Sequence, residues 1–348
     1  MALIFVKNAI LQTHIHGQKL NNIKFITEIA STHDGSVEEF NKLIKNIKLI
    51  KGDYIKFQIF KNTELCHRSS KLFKSLKKIE LPLEFWERTI NKNKKKNIIL
   101  EPFDEKSYIF AKKFKKDVLI KISSSEHDNE WMIYDAIKNF KKVFMNISGY
   151  RLKDILKLFK DYKNSKNKII LMYGFQSFPS NPQDLRLSIL KQITKIGYKA
   201  GYADHSETKS LVGTYLSTAK AIDYGATYIE KHVTLNRSKK KPDYITSFNP
   251  KDHFQYVNFF KNDYKKFRTN RNEISKKEIQ YCQVMGKYAV SKKDLNFKEN
   301  LNYKDIKFLR TGNKGLNRSE INDLLKKKCF IKKRIKKNSL IKLDDLNY

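Results

Sequence analysis

From about residue 24 onward, short apolar segments alternate with amphipathic segments, which is the pattern of parallel β-strands joined by crossover helices. The candidate strands are residues 24–30, 53–59, 97–103, 118–123, 142–147, 168–174, 197–203 and 226–232. The sequence offers no G-x-G-x-x-G dinucleotide-binding loop, and eight βα units in one unbroken series favour a closed barrel over an open sheet. We therefore predict an α/β fold, a (β/α)8 TIM barrel.

The length of 348 residues leaves room for a small domain after a barrel of about 250 residues. We assign residues 1–268 to the barrel and the polar, apolar-poor residues 269–280 to a linker. Residues 281–348 have a different sequence pattern, in which short predicted strands such as IKFLR lie among turns and one short helix. This pattern predicts a small β-rich domain, and docking on another surface would help so small a domain stay folded.

The chain is strongly basic, with 72 Lys and Arg against 36 Asp and Glu and a net charge of +36. Such a charge alone would indicate nucleic acid or an anionic membrane as a partner. However, the lysines are spread over nearly every predicted helix, as solvated surface lysines are. We therefore expect no nucleic-acid and no membrane partner, although a basic surface attracts small anionic substrates.

The three cysteines, Cys66, Cys282 and Cys329, are far apart and form no C-x-x-C pair. This argues against a zinc knuckle and against a disulfide framework, and it fits a reducing compartment. The sequence has no run of 18 apolar residues that would indicate a membrane span. The expected location is the cytoplasm.

Polar side chains stand at the ends of the predicted strands, where (β/α)8 enzymes carry their catalytic groups. They are Glu28, Lys56, Glu101, Lys121, Ser124, Glu126, Gln176, His205 and His232. Imidazoles, ammonium groups and carboxylates together predict a barrel mouth that binds a metal ion and an anion.

The two histidines occupy equivalent positions on neighbouring strands, His205 in YADH and His232 in IEKH. Each taken alone could be a hydrogen-bonded structural residue, but the pair is close enough to share one cation through neutral imidazole nitrogens. Two protein ligands leave positions open for a substrate oxygen. We predict His205 and His232 as metal ligands and catalytic residues.

Lys56 and Lys121 lie inside apolar strands, in YIKFQ and LIKIS, where a buried lysine requires an anionic partner. A substrate phosphate or carboxylate would supply it, and a Schiff base is the rival interpretation. Glu28 could serve as a general base or as a helix-cap partner. Glu126, just past the fourth strand, is a candidate for binding a hydroxyl-rich substrate.

Several ordered segments resemble the sialic acid (N-acetylneuraminate) synthases, over nearly the whole chain. They are TEIASTHDGS, YIKFQIF, EPFDE, IKISSSE, GFQSFPSNP, GYADH, IEKHVTLNRS and KPDYITSFNP. The segments VMGKYAVSKKDL, IKFLRTGNKGL and CFIKKRIKKNSLI resemble the C-terminal antifreeze-like (SAF) domain of that family.

The resemblance implies condensation of phosphoenolpyruvate with an N-acylated amino sugar in its aldehyde form, giving a nonulosonic acid and phosphate. It implies a divalent metal, Mn²⁺ or else Mg²⁺, on the two histidines and a homodimer in which the SAF domain caps the partner's barrel. The substrate-binding residues that it implies are Lys56, Ser124, Glu126, Gln176, Asp243 and Arg310, and the catalytic residues are Glu28, Lys121, His205 and His232.

The sequence departs from the family pattern around the anion pocket. Glu101 replaces a threonine before Pro-Phe, Gln176 replaces an asparagine, and Ala203 replaces a serine before Asp-His. Ile147 likewise stands where the family has the first residue of Ser-Thr-Gly. A carboxylate at position 101 would repel a phosphate unless a metal ion or a lysine compensates.

The departures leave alternatives open. The sugar could belong to the sialic, legionaminic or pseudaminic series. The chain could instead be a 3-deoxy-ulosonate synthase, or an aldolase in which Lys121 is the nucleophile. A third alternative is a barrel that has lost its activity and acts as a binding protein.

Overall fold

Eight parallel strands close into a barrel in the computed structural model, because β1 pairs with both β2 and β8. The strands are β1 (Lys24–Glu28), β2 (Tyr54–Ile59), β3 (Ile98–Pro102), β4 (Val118–Ile122), β5 (Val143–Asn146), β6 (Ile169–Tyr173), β7 (Lys199–Asp204) and β8 (Ala226–Val233). The structure describes residues 23–47, 50, 52–94, 97–158, 164–267 and 273–348. The predicted (β/α)8 barrel is confirmed.

Helices follow the strands and cover the outside of the barrel. They are α1 (Val37–Ile47), α2 (Asn62–Leu65), α3 (Phe73–Ile79), α4 (Leu83–Lys92), α5 (Glu105–Lys112), α6 (Glu130–Asn139), α7 (Leu152–Leu158), α8 (Ile189–Lys195), α9 (Leu211–Asp223), α10 (Pro250–Asn258) and α11 (Tyr264–Phe267). A π-helical turn at Phe259–Asp263 joins the last two, and a short strand β9 (Ser247–Phe248) pairs with the end of β8. Within the described ranges, no helix is both long and apolar enough to cross a lipid bilayer.

Helix α1 shows how the sequence builds one βα unit. The Ser36 hydroxyl accepts a hydrogen bond from the backbone N–H of Glu39 at 3.2 Å and so caps the helix start. The apolar face of the helix then turns Phe40 inward, where its ring packs against Phe57 of β2 and Trp86 of α4. Burying such an aromatic side chain against the strands fixes the helix on the barrel wall.

The chain divides into two compact units, Met1–Arg268 and Thr269–Tyr348. The second unit contains α12 (Lys276–Met285), β10 (Lys287–Ser291), β11 (Ile306–Arg310), α13 (Arg318–Lys326), β12 (Phe330–Ile331) and β13 (Leu346–Asn347). Strand β10 pairs antiparallel with β11, and β12 pairs antiparallel with β13. A small separate apolar core that includes Ala289, Leu295 and Ile331 holds the unit together.

Helix α12 begins at Lys276, inside the segment 269–280 that was predicted as a linker. Ser275 and Glu278 form a capping box, in which the Ser275 hydroxyl accepts from the Glu278 backbone N–H at 3.2 Å. The Glu278 carboxylate accepts in return from the Ser275 N–H at 2.9 Å. Residues 268–272, which include the first part of the predicted linker, lie outside the described residues.

Candidate active site

The interior of the barrel changes from apolar to charged toward the C-terminal ends of the strands. Every second side chain of a strand points to the same face, so the side chains of inward-facing residues two positions apart both point toward the barrel axis. The lower interior is an apolar cluster of Ile26, Tyr54, Ile99, Phe144, Ile170, Met172, Ala203 and Tyr228. Two residues further along four of these strands stand Glu28, Lys56, Glu101 and Glu230, and Lys121 joins them from β4. The charged groups therefore rest on an apolar floor.

The central feature of the site is an ion cluster of two lysines and three glutamates, all at most 4% exposed. Lys56 Nζ lies 2.5 Å from Glu101 Oε2 and 2.9 Å from Glu230 Oε1, and it also contacts Glu28 Oε2. Lys121 Nζ lies 2.7 Å from Glu230 Oε1 and 3.5 Å from Glu101 Oε1. Glu101 and Glu230 thus each contact both lysines. Glu101, which replaces the threonine of the family pattern, is therefore one of the two carboxylates that join the lysines.

Electrostatics make this cluster negative. Burial lowers the pKa of Lys121, but Glu101 and Glu230 outweigh burial and raise it. Burial raises the pKa of Glu230, but Lys121 and Lys56 outweigh burial and lower it. Burial also lowers the pKa of Lys56, yet its Nζ touches three carboxylates that stabilise the ammonium form. Three carboxylates against two ammonium groups leave one excess negative charge.

His205 and His232 lie side by side above this cluster, with 5.4 Å between their ring centroids. Burial lowers the pKa of His205 to about 4, and burial together with the neighbouring His205 lowers that of His232 well below its usual value. Both rings are therefore neutral near pH 7, which is the state that binds a metal ion.

Hydrogen bonds through Nδ1 orient both imidazole rings. The Nδ1 of His205 donates to the Phe175 carbonyl at 2.9 Å. The Nδ1 of His232 lies 3.1 Å from the Thr246 hydroxyl, which itself donates to the Asp243 carbonyl and so accepts from the ring. Both arrangements leave the Nε2 lone pair available, as in histidines that bind metals. These features fit a divalent cation, and no three His, Cys, Asp or Glu side chains in the described ranges are placed to share one.

A central cavity of about 260 Å³ opens above the ion cluster. Six of the residues predicted from the sequence line it: Lys56, Lys121, Gln176, His205, His232 and Asp243. The Gln176 side-chain amide donates to the Gly174 carbonyl at 3.3 Å, and Asp243 accepts from the Ser31 backbone N–H at 3.0 Å. Burial raises the pKa of Asp243. The structure thus brings most of the predicted site into one hollow.

Ser124 and Glu126, which were predicted to bind substrate, do not line the central cavity. Both lie on a short turn after β4, and the Glu126 carboxylate accepts from Ser125 and Asn129 at 3.2 Å each. The residue that does line the cavity is Ser123, two positions after Lys121 and therefore on the same face of the strand. The substrate-binding roles of Ser124 and Glu126 remain predictions.

Glu28 was predicted as a catalytic residue and Arg310 as a substrate-binding residue. Glu28 is fully buried beneath Lys56, does not line the central cavity and accepts from the Ala30 backbone N–H at 2.7 Å. Its position fits a partner of Lys56 rather than a group that touches substrate. Arg310 is the last residue of β11 in the second unit and is exposed, and its predicted role remains a prediction.

Sequence reasoning missed several lining residues. Glu230 was overlooked, although it stands two positions before His232 on the same face of β8. Asn146 ends β5 and lines the central cavity. Phe178 also lines it, with its ring centroid 4.4 Å from that of His205. Phe178 lies in a loop, where no periodic pattern marks an inward side chain.

Comparison with known proteins places this site in a family. The NeuB family matches residues 43–272, which is more than half of the chain. The chain belongs to the NeuB family. The N,N'-diacetyllegionaminic acid synthase of Campylobacter jejuni is a relative, 25% identical over 291 residues that cover 78% of this chain and 85% of the relative. The predicted likeness to the sialic acid synthases is therefore confirmed, and this NeuB-family chain is an enzyme, a transferase of the synthase type.

Solved structures agree with the fold of a NeuB-family protein. A putative spore coat polysaccharide biosynthesis protein E from Chromobacterium violaceum superimposes with a TM-score of 0.67 at 20% identity, covering 94% of this chain and 100% of that one. An N-acetylneuraminic acid synthetase from Leptospira borgpetersenii gives a TM-score of 0.64 at 24% identity, covering 78% of this chain and 96% of that one. At these identities the likeness concerns the fold alone.

Proposed function

We propose that this enzyme condenses phosphoenolpyruvate with the open-chain aldehyde of an N-acylated amino sugar, forming a nonulosonic acid and releasing phosphate. The observation that carries the proposal is the pairing, in one cavity, of two buried lysines with two neutral histidines whose Nε2 atoms are available. An anion and a polarised oxygen can bind side by side there.

Lys121 supports anion binding rather than Schiff-base chemistry. A lysine that attacks a carbonyl must reach its neutral form, which a lowered pKa assists. At Lys121 the two carboxylates instead raise the pKa, so the nitrogen carries its proton and lacks the lone pair for attack. This argues against the aldolase alternative and for an ammonium group that holds a phosphate or carboxylate.

His205 and His232 would hold a divalent cation, Mn²⁺ or Mg²⁺. When bound, the cation would act as a Lewis acid on the aldehyde oxygen of the sugar. The two rings contribute by staying neutral and by keeping their fixed orientation through Phe175 and Thr246.

The reaction needs one new carbon–carbon bond. The electrons of the enol double bond form the bond from C3 of phosphoenolpyruvate to C1 of the aldehyde, whose oxygen takes up a proton. Asp243 lines the central cavity and has a raised pKa, so it is suited to supply that proton. Positive charge develops at C2, where the carboxylates of Glu101 and Glu230 stabilise it.

Water completes the reaction. It adds to C2 and loses one proton, which offsets the proton taken up by the aldehyde oxygen. The remaining hydroxyl proton passes to the phosphate oxygen as the bond from C2 to that oxygen breaks, which leaves a 2-keto acid and hydrogen phosphate. The ammonium groups of Lys56 and Lys121 stabilise the departing dianion. In this proposal the two lysines also orient the carboxylate of phosphoenolpyruvate.

The identity of the sugar and the role of the second unit complete the proposal. The relative from Campylobacter is named for a legionaminic acid, and 25% identity leaves sialic and pseudaminic types equally open. We assign the second unit as an SAF domain whose Arg310 contacts the sugar in the barrel of a partner subunit, so that the enzyme works as a homodimer.

The test is phosphate release from phosphoenolpyruvate with Mn²⁺ and a panel of N-acylated hexosamines, including deoxy diacetamido sugars. Release with one of them, together with a 2-keto acid product, is the expected result. If no sugar led to the release of phosphate, the proposal would be refuted and the binding-protein alternative would be favoured. Borohydride trapping of a covalent adduct with pyruvate would point to the aldolase instead, and release with an unacylated aldose to a 3-deoxy-ulosonate synthase.

A further inference from the structure

A second, larger hollow adjoins the central cavity. It has a volume of about 680 Å³ and shares Ser31, Phe178 and Asp243 with the central cavity. Four lysines line it, Lys78, Lys239, Lys240 and Lys241, and we refer to it as the lysine pocket. Because three residues face both hollows, a ligand seated at the histidines can extend past Phe178 into the lysine pocket.

Size supports such an extension. The central cavity of about 260 Å³ must accept two reactants. Sites for one small-molecule ligand already occupy roughly 300–1,000 Å³. The reactant that binds the ion cluster stays deep in the barrel, so the sugar is the one that reaches outward. The end of the sugar remote from the aldehyde then lies in the lysine pocket.

Three of the four lysines are held in place by carboxylates. Lys78 Nζ lies 2.8 Å from Asp34 Oδ1. Lys241 Nζ lies 3.0 Å from Glu39 Oε2, and Lys239 Nζ lies 3.4 Å from Glu39 Oε1. Four lysines against the three carboxylates of Asp34, Glu39 and Asp243 still leave the pocket positive.

The fourth lysine, Lys240, differs from the others. In the described part of the chain, no carboxylate lies within ion-pair distance of Lys240. Its backbone is left-handed, with φ of 47°, and so is that of Asp243, with φ of 58°. Left-handed non-glycine residues persist only where their surroundings fix them. Here the Ser31 N–H donates to the Asp243 carboxylate at 3.0 Å, and the Lys240 N–H donates to the Arg237 carbonyl at 3.1 Å.

We infer that the lysine pocket binds a phosphoryl group at the end of the sugar remote from its aldehyde, so that the acceptor is a phosphorylated N-acylated amino sugar. Lys240 supplies the uncompensated charge, and Lys78 and Lys241 complete a cluster of ammonium groups around a dianion. The inference rests on the proposed function and names the substrate class of that same reaction.

The test compares each hexosamine of the panel with its 6-phosphate, using the full chain with phosphoenolpyruvate and Mn²⁺. We expect kcat/KM to be about 100-fold higher for the phosphorylated sugar. Lys240→Ala should raise KM for the phosphorylated sugar about tenfold, and it should change its kcat/KM far more than that of the free sugar. Lys77→Ala removes an exposed lysine of α3 that does not line the pocket and serves as the matched control.

Equal kcat/KM for free and phosphorylated sugars, or an equal effect of Lys240→Ala on both, would overturn the inference. So would a deoxy diacetamido sugar as the best acceptor, because it has no 6-hydroxyl group to carry phosphate. Calorimetric binding of N-acetylmannosamine 6-phosphate without phosphoenolpyruvate separates this inference from the reaction. Binding that depends on Lys240 supports the lysine pocket even if no phosphate is released.

Discussion

Glu101→Gln tests the electrostatics of the ion cluster with little change of shape. The Glu101 carboxylate lies 2.5 Å from Lys56 Nζ and 3.5 Å from Lys121 Nζ, so it occupies the side of both lysines that an anionic substrate would use. Glutamine keeps the volume and an acceptor oxygen but removes the charge. The cluster then holds two carboxylates and two ammonium groups. We expect phosphoenolpyruvate to bind this balanced cluster more tightly than the natural one.

The expected size of the effect follows from Coulomb's law. Two unit charges about 4 Å apart repel by about 4 kcal/mol at an effective dielectric constant of about 20. A bound cation and displacement of the side chain each reduce that repulsion, so we expect about half of it to appear in binding. About 2 kcal/mol corresponds to a roughly 30-fold lower Kd for phosphoenolpyruvate.

The assay is calorimetric titration of the protein with phosphoenolpyruvate in Mn²⁺, with KM from phosphate release as a second measurement. Glu126→Gln is the matched control, because that carboxylate lies outside the central cavity. An unchanged or weaker affinity in Glu101→Gln would refute the reasoning. A loss of kcat is expected beside the tighter binding, because the Glu101 carboxylate stabilises the positive charge that develops at C2.

Two substitutions in the ion cluster are expected to change the stability of the protein by very different amounts. Glu101→Gln removes the excess charge, so the free energy of unfolding should change by less than about 1 kcal/mol. Lys56→Met leaves three carboxylates with a single ammonium group and should cost about 3–5 kcal/mol. Urea unfolding of both variants measures the difference, and equal losses would contradict the charge count.

Three further predictions concern the metal site, the second unit and pH. His205→Ala and His232→Ala should each abolish metal-dependent turnover with an unchanged circular dichroism spectrum, and unchanged Mn²⁺ affinity in both would refute the assignment. Arg310→Ala should raise KM for the sugar at least tenfold more than KM for phosphoenolpyruvate, and an equal loss would argue against sugar contact. Burial lowers the pKa of His33 to about 4 and of His253 to about 3, from 6.5. The unfolded chain therefore binds protons first as pH falls, and each histidine should cost about 2 kcal/mol of stability at pH 5 relative to pH 7. Equal free energies of unfolding at the two pH values would contradict this.

The barrel could be predicted from the sequence because each of its strands is marked by a local run of apolar residues, and these runs recur at regular intervals along the chain. Each apolar run, such as the one at β6 (Ile169–Tyr173), is fully buried on both faces, and a parallel sheet needs that property on every strand. The same periodicity placed Lys56, Lys121 and the two histidines on the barrel axis. Helix α12 was missed because its apolar pattern is weak, although the capping box at Ser275 and Glu278 was present in the sequence.

Contacts between strands were not predictable in the same way. The sequence shows that Glu101 departs from its family, but the distance from Glu101 to both lysines depends on how β2, β3 and β4 align. A one-residue change of register exchanges the two faces of a strand, so the sequence alone does not show that Ser123, and not its neighbour Ser124, lines the central cavity. Loop residues such as Phe178 have no periodic signal at all.

The excess charge of the cluster connects the fold to the function. A buried cluster of three carboxylates and two ammonium groups is unfavourable, because the desolvation of each ion is offset only by partners of opposite charge. The apolar floor beneath it supplies none, and neutral histidines above it supply none. A divalent cation on those histidines would turn the net charge from one negative to one positive. The charge that makes the cluster unfavourable by itself would thus attract a cation, and a bound cation would in turn make the cavity receptive to an anion.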